Sequence, residues 1–171
     1  MGFETTEDFS NWTILNNNGD ARQWEFTGTN VNTGAQSLRI RNTNNVADDW
    51  LFSPCTYFEA GETYVVDFSY RARVAGFAEN MAVRLTSATN ATSTVSTINS
   101  YNNFTNTTYS NESLTFTVAT SGTYYVAFHS FSAASRRGMH LDDIRIYNQK
   151  TFWIGNSAVW TDDANWTNGQ P

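Results

Sequence analysis

His140-Leu141-Asp142-Asp143-Ile144-Arg145-Ile146 is the stretch from which the fold is read. Ile144 and Ile146 alternate with Arg145, the pattern of a half-buried β-strand. The same parity predicts Asp142 on the apolar face of that strand, where a bare carboxylate is costly unless a cation meets it. A second acid, Glu4 in Gly2-Phe3-Glu4-Thr5, lies at the opposite end of the chain. If the first and last strands pair, as in many sandwiches, Glu4 and Asp142 converge. With no basic side chain near either, a hard metal such as Ca²⁺ is the economical partner, in a structural role that ties the two ends together.

Outward from that strand, short alternating runs and turn signals recur without a long 3.6-residue period. Thr63–Arg73 is the clearest run: Tyr64, Val66, Phe68 and Tyr70 share one face, Val65, Asp67, Ser69 and Arg71 the other. Met81–Leu85, Leu114–Val118 and Tyr124–Phe128 repeat the pattern, as do Ser37–Arg41 and Trp24–Phe26 nearer the start. Asp48–Pro54 reads as an extended segment whose proline marks an edge or a strand end. Thr5–Asn18 is polar, anchored by Phe9, Trp12, Ile14 and Leu15. About nine short strands with turns between them predict an all-β, jelly-roll-like antiparallel β-sandwich over residues 1–148.

From residue 149 the chain changes character. Trp153, Trp160 and Trp166 fall within about twenty residues, so 149–171 is expected to be a linker and the truncated start of a following Trp-rich module, the alternative being a tail that docks on the sandwich. Met1-Gly2 reads as the start of an excised fragment.

Bulk composition narrows the function classes. The 171 residues carry a net charge of −6, 40 % hydrophobic and 15 % aromatic side chains. That supports one substantial core and argues against nucleic acid or an anionic membrane as partners. No apolar run is long enough to span a membrane. Lys150 is the sole lysine and Cys55 the sole cysteine, so no intrachain disulfide framework exists. Cys55 reads as a small apolar residue, and His129 and His140 as strand-face residues. Glu62, Asp67 and Glu79 supply carboxylates by count, but nothing pairs two of them as glycoside hydrolysis requires.

Four segments taken in order resemble a known family. They are Phe3-Glu4 with Trp12; Gly34 through Ser37-Leu38; Asp48-Asp49-Trp50-Leu51 with Ser53-Pro54; and Gly61-Glu62-Thr63-Tyr64 with Val66-Asp67-Phe68. Closed by Leu141-Asp142-Asp143-Ile144, the set resembles the cleaved-adhesin or choice-of-anchor-J domains of bacterial surface proteins. These include the adhesin modules of gingipain-type proteases and are distant relatives of MAM domains, whose paired cysteines this chain lacks. Separately, 151–171 resembles the opening of Trp- and Asn-rich repeats in large secreted bacterial proteins.

The resemblance implies a jelly-roll sandwich with structural calcium in a secreted or cell-surface multidomain protein. It also implies a non-catalytic role in attachment to a glycan or a host or surface protein, beside neighbouring domains of the same chain. Glu4 and Asp142 are the expected metal ligands, with carbonyls around Gly34–Ser37 and with Asp48 or Asp49 as further candidates; a turn or strand cap is the alternative for that pair. Asp143 is expected to face solvent. For a glycan, the aromatic and amide residues of the polar tract Thr86–Ser113 are the candidates: Tyr101, Asn102, Asn103, Phe104 and Tyr109, with Trp50 beside them. The alternatives are that the tract's aromatics are loop anchors packing on the sheet, and that the domain is a structural spacer.

Overall fold

The Thr63–Arg73 alternation becomes a central strand in the computed structural model, which describes residues 3–4, 8–41, 44–150, 155 and 161. The described residues form eleven strands: β1 (Thr13–Asn16), β2 (Glu25–Thr27), β3 (Ser37–Arg41), β4 (Asp49–Phe52), β5 (Thr56–Phe58), β6 (Tyr64–Ala72), β7 (Glu79–Thr86), β8 (Thr94–Phe104), β9 (Ser110–Phe116), β10 (Gly122–Ser130) and β11 (Gly138–Asn148). A six-stranded sheet runs β1-β4-β10-β7-β8, with β5 paired to the start of β10; a five-stranded sheet runs β2-β3-β11-β6-β9. Every pairing is antiparallel. The core lies between the sheets. Leu38, Val66, Phe68 and Leu141 from one meet Leu51, Val83, Leu85, Val126 and Phe128 from the other. The fold is the expected all-β sandwich.

The polar tract is mostly strand. Thr94–Phe104 forms β8 at the edge of the six-stranded sheet, half of it open to water. An edge strand with a polar face needs no apolar alternation, and its three register shifts against β7 blunt the edge further. Pro54 lies just beyond β4, at a strand end: β4 itself is flanked by both β1 and β10. Cys55 is exposed. The Trp-rich stretch 151–171 lies, apart from Gly155 and Thr161, outside the described residues.

Two expectations about the chain ends change. The first strand, β1, belongs to the six-stranded sheet and the last, β11, to the five-stranded one, so they do not pair. Phe3-Glu4 forms no ladder; Phe3 packs into the core among Phe9, Trp12 and Phe26. The parity of β11 also breaks. Asp142 pairs with Ser69 but Arg145 pairs with Asp67, so three steps along β11 match two along β6. This bulge lets Leu141 and Ile144 both face the core. Asp142 therefore lies on the outer face with His140 and Ser69, opposite the face carrying Ile144 and Ile146.

Gly138 opens β11 at φ +90, where a Cβ would fall on the carbonyl oxygen of Ile40 in β3. Backbone on both sides leaves no flexible group to yield. Gly138→Ala is expected to cost about 3 kcal/mol, read as a lowered midpoint in urea with an unchanged slope.

Candidate functional site

Strand β11 carries a row of polar side chains on the outer face of the five-stranded sheet, and the β2–β3 loop folds over them. His140 and Asp142 are there 1 % and 0 % exposed, beside buried Ser37 and Ser69. The Asn32 backbone N–H donates to Asp142 Oδ2 at 2.8 Å, and the Asp143 N–H to its Oδ1 at 2.9 Å. Burial pushes the Asp142 carboxyl up to about 6 despite these donors. Asp143 takes the left-handed φ of +54 at the bulge. It accepts from Asn32 Nδ2 at 2.7 Å, from Ser69 Oγ at 3.3 Å and from the Thr33 hydroxyl, so it binds the loop while staying half-exposed beside a surface groove.

Glu4 reaches the same loop from the other side. Its Oε2 accepts the Ala35 N–H at 2.8 Å. Gly34 between them has φ +68, and a Cβ there would fall inside the Glu4 carboxylate. Glu4 and Asp142 thus grip the two ends of the stretch Asn32–Ala35, although their strands do not pair. Among the described residues no three His, Cys, Asp or Glu side chains gather into a metal-holding set. A hard cation at this loop would be held by the Glu4 and Asp142 carboxylates, with main-chain carbonyls completing its shell.

Asp48 and Asp49 lie elsewhere. Asp48 faces outward from the six-stranded sheet, accepting from His129 Nε2 at 2.9 Å, Trp50 Nε1 at 2.8 Å and Asn17 Nδ2 at 2.6 Å. Burial holds His129 down at about 4, with the Arg84 charge adding to it, so at neutral pH this contact is a hydrogen bond from a neutral ring. Asp49 shares the inward face of β4 with Leu51 and is fully buried, opposite the buried Ser130 of β10. Among the described residues no side-chain donor meets either oxygen of Asp49. Burial first, then the nearby Asp20 carboxylate, raises it to about 7.

The expected ligand residues separate into several places. Trp50 is 3 % exposed, stacked on His129 at 3.9 Å and on Phe52 at 5.7 Å, with the Arg84 guanidinium over it. Tyr101 and Phe104 turn inward and pack on Tyr70, with ring centroids at 4.8 and 4.9 Å. Asn102 and Asn103 stand exposed on β8, the Asn103 N–H bonded to Asn80 Oδ1. Tyr109 lies in the loop just before β9, donating to the Asn30 carbonyl at 2.6 Å, and burial pushes its hydroxyl up to about 12. The acids counted as hydrolytic candidates are also apart. Asp67 faces Arg145, Glu62 pairs with Lys150 at 2.6 Å, and Glu79 is buried, accepting the Gly138 N–H.

Two surface grooves complete the picture. One of about 430 Å³ runs beside the loop and is lined by Asn32, Asp67, Ser69, Asn111, Glu112 and Asp143. Another of about 330 Å³ is lined by Thr56, Tyr57, Phe58, Glu59, Tyr64, Ile146, Tyr147 and Asn148. The sequence reading missed the second because β5 is only three residues long and follows Pro54. The signal available was the aromatic pair Tyr57-Phe58, which alternation must split between water and core.

No family model matches the chain, and no curated protein matches it in sequence. Among solved structures, its fold is that of the cleaved adhesin domains of Lys-gingipain from Porphyromonas gingivalis. The K1 domain matches with TM-score 0.68 at 14 % identity, over 86 % of this chain and 95 % of that one. The K3 domain matches with TM-score 0.66 at 18 % identity, over 81 % and 91 %. The CBM22-1 xylan-binding domain from Paenibacillus barcinonensis Xyn10C matches with TM-score 0.56 at 13 % identity, over 82 % and 86 %.

The buried Asp49 gives a pH test with a definite sign. Its folded-state value of about 7 lies above its ordinary 3.8, so the folded state favours the neutral acid. That contribution is intact below about 3.8 and is lost as pH rises through 7. Asp49→Asn is expected to be more stable than the parent by roughly 2–4 kcal/mol at pH 8, the two converging near pH 4, in paired urea melts.

Proposed function

We propose that this domain is a non-catalytic, calcium-stabilised binding module of a secreted or cell-surface bacterial protein, attaching to glycan. The observation that carries the reading is the grip of Glu4 and Asp142 on Asn32–Ala35. Two acids from opposite ends of the chain close on one glycine-bearing loop, and a hard cation between them would offset the burial of Asp142. Each carboxylate oxygen that accepts an amide keeps a second lone pair for an ion. The fold is compatible with attachment: it recurs in adhesin domains and in a domain described as xylan-binding. A host or surface protein is the other partner class of this reading.

A specific observation favours a second reading, a structural spacer. Of the rings expected to meet a ligand, Trp50 is buried, and Tyr101 and Phe104 are half-buried against the core. On that reading the domain is a rigid bead and binds no glycan.

Two measurements test the proposal. EDTA is expected to lower the melting temperature by about 5 °C or more and added calcium to restore it, with Glu4→Gln and Asp142→Asn each reducing the calcium-dependent increment. A melt indifferent to both removes the cation. A glycan array probed with the intact chain is expected to give saturable binding to at least one neutral oligosaccharide; a blank array favours the spacer.

A further inference from the structure

We propose that the corner of the five-stranded sheet around Gly138 is a binding face for an acidic polysaccharide, one carrying carboxylate or sulfate groups. This rests on the glycan-binding reading above and adds a charged class of ligand to it. Strand register places four arginines on one outer face there. Arg39 of β3 pairs with His140 of β11, and His140 pairs with Arg71 of β6. Two residues along, Arg41 pairs with Gly138, and the Arg73 N–H donates to the Gly138 carbonyl at 2.9 Å. The residues between them, Leu38, Ile40, Tyr70 and Ala72, are buried and face inward, so alternation turns the arginines out. Each pair flanks β11 with its Cα atoms about 10 Å apart. Gly138 stands between Arg41 and Arg73 with no side chain to separate them.

Arg136 and Arg137, the two residues before Gly138, extend the cluster. Arg136 lines a small cavity together with Arg41, and the Arg137 guanidinium lies over the Phe77 ring at 4.9 Å. Six of the ten basic residues therefore gather at one corner of a chain whose net charge is −6. Few carboxylates meet them. Glu25 bridges Arg39 and Arg41, and Glu79 is buried, accepting the Gly138 N–H. Asp142, next along the outer face, is buried under the β2–β3 loop. Arg71 reaches the Asn30 side chain and the Tyr109 ring instead of an acid. Arg73 and Arg137 have no carboxylate within salt-bridge distance among the described residues. The field of the corner also reaches His140, where burial and then Arg71, Arg39 and Arg73 hold the ring neutral, at about 4.

A guanidinium without an acid partner offers a planar fork of donors, which matches the paired oxygens of a carboxylate or sulfate. Exposed Asn30 at the margin adds an amide for sugar hydroxyls. The four remaining basic residues are set against most of the sixteen acids, so the attraction is confined to this corner. A broad anionic partner, such as an acidic protein, would also meet that negative surface. A single polysaccharide strand can lie within the corner and avoid it.

The test is affinity electrophoresis of the full chain in gels holding polygalacturonate, dextran sulfate, neutral β-1,4-galactan or poly-glutamate, each read against a polymer-free gel. At least one of the two acidic polysaccharides is expected to retard the parent, less so as salt rises. Arg73→Gln/Arg137→Gln is expected to weaken that binding about tenfold, and Arg73→Lys/Arg137→Lys by no more than about threefold, because the charge survives. The lysine pair guards the conclusion if the glutamine pair melts below the parent. Arg145→Gln/Lys150→Gln removes two charges outside the corner and is expected to change binding less than about twofold. Equal losses in the two glutamine pairs reduce the effect to net charge and overturn the site. A parent retarded only by galactan overturns the acidic class and leaves the glycan reading intact. A parent retarded in no gel and blank on the array overturns both. Retardation abolished by inorganic sulfate at the polymer's own charge concentration makes the corner a simple-anion site, and retardation by poly-glutamate alone makes it a protein-docking face; either result overturns the proposal.

Discussion

One extra residue in β11 sets the rest of this structure. Without the bulge between Asp142 and Arg145, strict alternation from Leu141 would turn Ile144 toward water. With it, Leu141 and Ile144 both enter the core and Asp143 absorbs the change in the left-handed region at φ +54. The conformation is sparsely populated for non-glycine residues, but aspartate tolerates it better than most, and here its carboxylate gains Asn32, Thr33 and Ser69 as donors. Apolar burial on one face and loop capture on the other therefore arise from the same local irregularity.

That irregularity also marks the boundary of what the sequence made legible. Where alternation was unbroken, as in Tyr64–Tyr70 or Ser37–Arg41, faces and strands read correctly, because burial on one side fixes register. In β11 the same logic assigned Asp142 to the wrong face, since a bulge leaves no signature in an apolar/polar pattern. Asp142 and Glu4 nonetheless both reach one loop. The actual meeting goes through side chains gripping Asn32–Ala35, and not through a ladder between the first and last strands.

The polar tract shows a different limit. Thr86–Ser113 reads as loop because it lacks apolar alternation, yet Thr94–Phe104 is a long edge strand. Edge strands pair on one side only and can be polar on both faces, so composition cannot separate them from loops. Its aromatics were nominated for a ligand on the premise that polar surroundings mean exposure. Tyr101 and Phe104 instead turn inward and pack, half-buried, against Tyr70 at the margin of the core. Asp48 and Asp49 illustrate the same point at the scale of one peptide bond: neighbours in sequence, they face opposite sides of the six-stranded sheet and sit in unrelated surroundings.

Position along β11 then relates the loop to the groove. Asp142 and Tyr147 belong to one strand, five residues apart, or about 16 Å at strand rise. From Tyr147 to Asn148 the strand is paired to β6, and at Gly138–Leu141 it is held between β3 and β6. β11 therefore lies at the heart of its sheet, while β5, at the margin of the other sheet, is pinned by Phe58 in the core and by pairing to β10. Groups held this way lose little freedom on meeting a ligand, which favours affinity from a small contact area. A cation bound at Asn32–Ala35 would act at a distance from that surface. Its effect would be to hold the β2–β3 loop against β11, and so to hold the fold together.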